Sequence, residues 1–186
     1  MRNPETKLNN HTTVVVAAWI FRLHEQGVTS LNEAIHKACV AIHQANDGPN
    51  RDAAGLALVG KVQAVVGDVE PEPSQLLAIA RDLFGDRVVH DMGQGTREER
   101  ARRIRKRQFK QPLPWLARIW ERHSDGRVAP NWLIIERVTD QVMAMDPNPW
   151  DDVAEQRMVP VADFQVLWEL DGCPSVAIGP SNGNPK

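Results

Sequence analysis

The sequence predicts an α+β protein, in which an N-terminal helical bundle is followed by a small antiparallel sheet with one or two helices. Two observations lead to this prediction. Apolar residues recur at helical spacing as far as Gly85, whereas from Trp115 onward they alternate with polar residues over short runs separated by turn sequences. A composition of 42% apolar and 25% charged residues in 186 residues is typical of one globular domain, or of two very small ones.

The first two helices are predicted from their caps and their apolar residues. The first begins at Thr12 or Thr13, whose hydroxyl can cap it, and ends at Gly27. Its apolar residues nearly encircle the helix axis, which predicts a central, mostly buried helix. Ser30 and Glu33 have the spacing of a capping box, so we expect a second helix with one apolar face to follow them.

Two further helices complete the predicted bundle. One spans about 51–66 and is rich in small residues, which favours close packing against a neighbouring helix. The other follows Pro73, which suits the start of a helix, and ends at Gly85. Four helices joined by short connections are typical of a compact helical bundle.

In the second half, three runs with a period of two residues predict a three-stranded antiparallel meander. The runs read WLARIWERH, NWLIIERV and VMAMDP, and the turn sequences SDGR and TDQ separate them. The segment NPWDDVAEQ, with its acidic residues Asp151, Asp152 and Glu155, is expected to be a solvated loop. After it, VADFQVLWEL has helical spacing, and CPSVAIGP is expected to form a last strand.

These patterns also predict how the chain is divided. The glycines of MGQGT are expected to form a flexible joint between the two halves. The predicted segments, which together form one compact domain, are a flexible N-terminus (1–10), a helical half (11–92), a glycine joint with a basic helix (93–112), an antiparallel sheet half (113–180) and a disordered tail (181–186).

No segment of the sequence predicts export, a membrane span or a cofactor. The N-terminus lacks a basic segment followed by a cleavable apolar stretch, and the apolar run VVVAAWIF is shorter than the roughly 20 residues that cross a bilayer. Cys39 and Cys173 have no metal or redox spacing and are expected to be reduced thiols. We therefore expect a cytoplasmic protein without a cofactor or membrane contact, whose oligomeric state stays open.

The strongest local signal is the basic segment TREERARRIRKRQFK, in which Thr96 and Glu99 form a capping box for a helix. Residues 97–110 hold eight Arg or Lys against two Glu, a local charge of +6 that leaves −8 on the rest of the chain. Guanidinium groups match phosphate oxygens, so a nucleic acid or another polyanion is a candidate partner. The alternative is a solvated helix, or one docked on an acidic face. The candidate anion-binding residues are Arg97, Arg100, Arg102, Arg103, Arg105, Lys106 and Arg107.

Three residues of the second predicted helix, His36, Cys39 and His43, fall close together on its surface. Imidazole and thiolate at this spacing suit two or three positions of a zinc site, but the sequence supplies no second group of ligands. We therefore predict no metal, and His36 and His43 are the candidate ligands if one is bound. Cys39 with one of these histidines is also a candidate nucleophile and base, although no orienting group is evident.

The segment from about 113 to 179 resembles the C-terminal half of papain-like cysteine peptidases of the bacteriocin leader-peptidase kind. In that family a Gly-His-Trp sequence opens an apolar strand, an Asp-Pro pair ends the next, and a stretch with Val-Pro, Phe and Trp follows. The matching residues are Trp132, Asp146-Pro147, Val159-Pro160, Phe164 and Trp168. The resemblance implies the sheet topology. It argues against peptidase activity, because Asn131 stands where the family has its catalytic His, and no Cys-Gly-Pro sequence stands in the first half.

The favoured hypothesis is a non-enzymatic interaction or adaptor protein, with a catalytically inactive peptidase-like fold and a protein as its partner. It rests on the lack of a complete catalytic set in the sequence. Exposed tryptophans at Trp115, Trp120 or Trp150 are expected to suit such an interface, since Trp is enriched in binding hot spots.

Two alternatives stay open beside it. The first is nucleic-acid or polyanion binding through the basic helix 97–110. The second is a cysteine hydrolase that uses Cys39, a histidine of the same helix such as His43, and an acid such as Asp146. This second alternative requires Cys39 to approach the edge formed by Asn131 and Asp146.

Overall fold

A computed structural model describes most of the chain. The described residues are 4–24, 29–47, 57, 59–62, 64, 71–85, 89–90, 95–108, 114–122, 126–148, 153–170, 172 and 174–178. The predicted tail 181–186, Trp150, Cys173 and much of the predicted helix 51–66 lie outside them. Of that helix, residues 57, 59–62 and 64 are described, and they are helical.

Five helices and six strands have defined bounds within the described residues, which confirms the predicted α+β class. The helices are α1 (Pro4–His24), α2 (Leu31–Asp47), α3 (Pro73–Phe84), α4 (Arg97–Gln108) and α5 (Val161–Glu169). The strands are β1 (Val89–His90), β2 (Trp115–Arg122), β3 (Val128–Val138), β4 (Gln141–Asn148), β5 (Val153–Pro160) and β6 (Ser175–Ile178). In this described part of the chain, no helix combines the length and the apolar character needed to cross a membrane.

The strands form one sheet in the order β1-β6-β2-β3-β4-β5, and every pair of neighbours is antiparallel. Strands β2 to β5 follow one another as a meander. After α5 the chain returns to the other side of β2, where Val176 of β6 pairs with Leu116. The last strand in sequence therefore lies inside the sheet, and β5 forms one of its edges.

Each face of the sheet has its own apolar core, because successive residues of a strand point to opposite faces. On one face, Leu116, Trp132 and Met145 pack with buried residues of α1, α2 and α3. On the other face, the alternate strand residues pack with Phe164 and Trp168 of α5. The N-terminal helices, the sheet and α5 thus form three successive layers.

Helix α1 is the central helix of the first layer, and residues 12–21 are buried along its whole circumference, as predicted. The indole Nε1 of Trp19 donates to the Pro114 carbonyl oxygen at 2.9 Å, which ties this helix to the start of β2. The helix begins at Pro4 and not at Thr12, so residues 4–10 of the predicted flexible N-terminus are helical. Proline favours the first turn of a helix, and Thr12 lies buried inside it.

The caps predicted at Ser30–Glu33 and Thr96–Glu99 are present, whereas Thr12 and Thr13 lie inside α1 and do not cap it. In α4, the Glu99 N–H donates to Thr96 Oγ1 at 3.3 Å, and the Thr96 N–H donates to Glu99 Oε2 at 2.8 Å. At α2 the Glu33 N–H donates to Ser30 Oγ at 3.2 Å, while the Glu33 carboxylate accepts from the N–H of Thr29 at 3.0 Å. Two of the helix starts are therefore determined by local side-chain hydrogen bonds.

The clearest difference from prediction is β5, because residues 153–156 were expected to belong to a solvated loop. Positions 154–157 read Ala-Glu-Gln-Arg and lack the apolar alternation of a half-buried strand. All eight residues of β5 nevertheless pair with β4, from Val153 opposite Asn148 to Pro160 opposite Gln141. This edge strand is formed by backbone pairing with β4, which the periodicity of the sequence does not predict.

Candidate functional site

The candidate site is a charged network of Glu121, Asn131, Asp146 and Arg157 at one end of the sheet. The Asn131 amide Nδ2 donates to Glu121 Oε2 at 2.8 Å and to Asp146 Oδ2 at 3.4 Å. The Arg157 guanidinium pairs with the same two carboxylates, through Nη1 to Glu121 and through Nη2 to Asp146. The amide and the guanidinium therefore both bridge one pair of acids.

Strand register brings these four residues together, since each comes from a different strand of the meander β2 to β5. Arg157 lies opposite Ala144, whose side chain belongs to the core under α5. Asn131 lies opposite Ile119 of the same core. The network thus lies on the face of the sheet that is covered by α5, just beyond the end of the apolar core on that face.

Because the network is partly buried, its carboxylates need a compensating positive charge and hydrogen bonds. Asp146 is only 8% exposed, and Glu121 and Arg157 are half-buried. A buried carboxylate is strongly unfavourable unless charge and hydrogen bonds compensate it. Arg157 and Asn131 supply this compensation, so the described contacts of Asp146 stabilise its ionised form in an ion pair.

Cys39 belongs to the opposite face of the sheet. It is buried in the core that joins α1 and α2 with Trp132 and Met145. These two residues adjoin Asn131 and Asp146 in sequence, and adjacent strand positions point to opposite faces. The sheet therefore stands between the Cys39 thiol and the network.

The histidines of α2 do not form a described cluster with Cys39. His36 is exposed, whereas Cys39 is buried. For His43 only the position in α2 is described. Among the described residues, no group of three or more His, Cys, Asp or Glu side chains is placed to hold a metal ion.

The basic helix α4 is docked through its first turn. Arg97 Nε lies 3.3 Å from Glu169 Oε1 at the end of α5, and Arg100 Nη2 lies 3.4 Å from the same oxygen. Arg100 Nη1 also donates to the Gly95 carbonyl oxygen at 2.6 Å. Arg97 remains 63% exposed, and Arg102 is exposed. The helix is therefore fixed at its start and presents guanidinium groups to solvent; the side chains of residues 103–108 lie outside the description.

The tryptophans do not form the exposed set that was expected. Trp115 is buried, with its ring centroid 5.6 Å from that of Trp168 and 6.2 Å from that of Phe164. Trp120 is half-buried, and Trp150 lies outside the described residues. The expectation for Trp115 was wrong because it takes part in the core beneath α5.

Sequence reasoning found two members of the network, Asn131 and Asp146, and missed Glu121 and Arg157. Glu121 lies within the alternating run WLARIWERH and has the pattern of an ordinary polar position. Arg157 precedes Val159-Pro160 in the stretch matched to the peptidase pattern, which was the only available signal for it. Its role depends on β5 being a strand, and periodicity does not indicate that strand.

Comparison of the chain with protein-family models, with curated proteins and with solved structures finds no match. Function is therefore inferred from the chemistry of the chain itself. Three features bear on it: the charged network, the buried thiol on the other face, and the docked basic helix.

Proposed function

We propose that this protein is a non-enzymatic interaction or adaptor protein, built on a peptidase-like sheet that carries no catalyst. The observation that supports this proposal most is the hydrogen bonding of the Asn131 side chain. Its amide donates to Glu121 and Asp146, and the Arg157 guanidinium forms ion pairs with the same acids. The position that corresponds to the base in the resembling peptidases thus belongs to a network of hydrogen bonds and ion pairs.

The chemistry of each group supports the same proposal. An amide cannot take a proton from a nucleophile, and a catalytic acid has to orient a base, whereas Asp146 is bound to a guanidinium. Cys39 is buried on the other face of the sheet, away from Asn131 and Asp146. This arrangement counts against the cysteine-hydrolase alternative, which needs these groups in contact.

The surface of α5 supports a protein partner. Val166 and Leu170, one helical turn apart, are 52% and 66% exposed. Arg97 of the docked helix α4 reaches Glu169, the residue that precedes Leu170, and its side chain is largely exposed. Apolar anchors bordered by a guanidinium match a partner segment with apolar side chains and acidic neighbours.

The binding half of the proposal is tested by capture of a partner from the source cells with full-length protein as bait. We expect the double variant Val166→Glu with Leu170→Glu to lose the partner. Val128→Glu, a matched control at a 52% exposed valine of β3, should retain it. Equal capture by all three proteins, or no capture by any, contradicts binding through α5.

The non-enzymatic half is tested with a peptide library and the variant Cys39→Ser. We expect no cleavage above background for either protein. We also expect a disulfide reagent to modify Cys39 only after denaturant is added, in a Cys173→Ser background. Cleavage by the wild type that Cys39→Ser abolishes would overturn this half of the proposal.

A second candidate function is polyanion binding through α4, favoured by the exposure of Arg97 and Arg102 on a helix that is held at its start. Binding to phosphate groups releases counterions, so affinity for a single-stranded oligonucleotide should fall steeply with added salt. Changing Arg102, Arg103 and Arg105 together to Glu should abolish it. A binding curve indifferent to salt rules this candidate out.

A further inference from the structure

The first turn of α4 and the last turn of α5 meet at a single carboxylate. Arg97 Nε and Arg100 Nη2 both approach Oε1 of Glu169, at 3.3 and 3.4 Å. Charge-assisted hydrogen bonds between a guanidinium and a carboxylate are usually about 2.7 to 2.9 Å long. Both contacts are longer than this and share one acceptor atom. Glu169 therefore holds the two guanidinium groups without satisfying either of them fully.

Arg100 keeps unused hydrogen-bonding capacity in this docked position. Its Nη1 donates to the Gly95 carbonyl oxygen at 2.6 Å, and its Nη2 donates to Glu169. Its buried Nε has no hydrogen-bond partner among the residues that the structure describes. A buried donor without a partner is unfavourable. An anion with several acceptor oxygens offers Arg100 more partners than the one carboxylate oxygen that it contacts.

The guanidinium groups next to this contact are open to solvent. The Arg97 side chain is 63% exposed although it pairs with Glu169, and Arg102, in the following turn of α4, is also exposed. A phosphate group carries its charge on several oxygens and accepts bidentate hydrogen bonds from the planar guanidinium. A phosphodiester backbone that reaches α4 therefore competes with Glu169 for the same donors.

We propose that Glu169 is an internal competitor of nucleic-acid phosphates, and that its contact with Arg97 and Arg100 holds α4 in an autoinhibited, docked state. A phosphodiester backbone that binds these guanidinium groups displaces the carboxylate, so the first turn of α4 separates from α5. This inference rests on the second candidate function, polyanion binding through α4, and adds its regulation. Docking on Glu169 and binding of phosphate to the same groups oppose each other, because each stabilises a different state of the helix.

The test measures the affinity of the full chain for a fluorescein-labelled oligothymidylate by fluorescence anisotropy. Glu169→Gln removes the competing charge and should bind about five-fold more tightly than the wild type, which is the weight of an ion-pair contact at a partly exposed site. Circular dichroism checks that this variant is folded. Glu98→Gln is the matched control, because it removes an equal charge from the exposed first turn of α4 and Glu98 forms no ion pair among the described residues. It should raise the affinity by less than about two-fold at physiological ionic strength.

A second background tests whether the gain depends on the contact itself. With Arg97→Gln, the gain from Glu169→Gln should be smaller, because one of the two guanidinium groups that Glu169 holds is then missing. The proposal is overturned if Glu169→Gln binds no more tightly than the wild type, if Glu98→Gln gives an equal gain, or if the gain is undiminished with Arg97→Gln. In each of these cases polyanion binding itself stands. If neither the wild type nor Glu169→Gln binds the oligothymidylate, the candidate function fails and the proposal fails with it.

Discussion

Asn131 and Arg157 lie two strands apart and bind the same two carboxylates, those of Glu121 and Asp146. Arg157 contributes positive charge to both acids, whereas the neutral Asn131 amide contributes a hydrogen bond to each. Together they convert a pair of like charges into a network that joins four strands. The stability of this end of the sheet should therefore depend on the guanidinium more than on any single apolar contact nearby.

Replacing Arg157 with Met should lower the free energy of unfolding by about 2 to 4 kcal/mol, because it leaves Asp146 buried and Glu121 beside it without their cation. Urea unfolding measures the loss. Arg122→Met is the matched control on exposed β2 surface and should change stability by less than about 0.5 kcal/mol. Equal losses in the two variants contradict the role given to Arg157.

Two tryptophans of one core provide a matched test of a buried hydrogen bond. Trp168 Nε1 donates to the Pro174 carbonyl oxygen at 2.9 Å, whereas the buried Nε1 of Trp115 has no hydrogen-bond partner among the residues that the structure describes. Trp168→Phe should therefore cost about 1 to 3 kcal/mol more than Trp115→Phe in thermal or urea unfolding. A Trp115→Phe variant that is as unstable as Trp168→Phe would show that lost volume dominates.

Two glycines should respond to alanine in opposite directions. Gly85 has φ of 59° and ψ of −139°, a conformation that strains any other residue, so Gly85→Ala should destabilise by about 1 to 3 kcal/mol. Gly60 is helical and exposed, and nothing lies within 4 Å of an added Cβ. Gly60→Ala should stabilise by about 0.5 to 1 kcal/mol. Differential scanning calorimetry distinguishes the signs, and shifts in the same direction contradict the prediction.

The docking of α4 should depend on Glu169. Changing Glu169 to Gln removes the ion pairs with Arg97 and Arg100, which are worth about 1 kcal/mol at this partly exposed site. Amide hydrogens of α4 should then exchange roughly five-fold faster. Asp163→Asn, an exposed acid of the same helix α5, should leave their exchange unchanged. Equal effects of the two variants indicate that α4 is held by other contacts.

Much of the secondary structure could be predicted because it depends on neighbours in the chain. The Thr96–Glu99 capping box joins residues three apart, and the apolar circumference of α1 is visible in any helical wheel. The sequence indicates two of the four network residues, Asn131 and Asp146, through their correspondence to the peptidase pattern. It does not indicate Glu121 or Arg157 as site residues. The sequence does not indicate strand β5, because Ala-Glu-Gln-Arg at positions 154–157 lacks the apolar alternation of a half-buried strand.

By itself, the sequence determined the α+β class, most helix starts and the change to strands at Trp115, because caps and hydrophobic periods act over a few residues. Only the tertiary structure decided which residues meet. Alternation across the sheet separates Cys39 from Asn131, and strand register brings Glu121 to Arg157 over 36 positions of sequence. Strand register, and the face of the sheet to which a side chain points, depend on how strands pair. No single stretch of the chain therefore determines them.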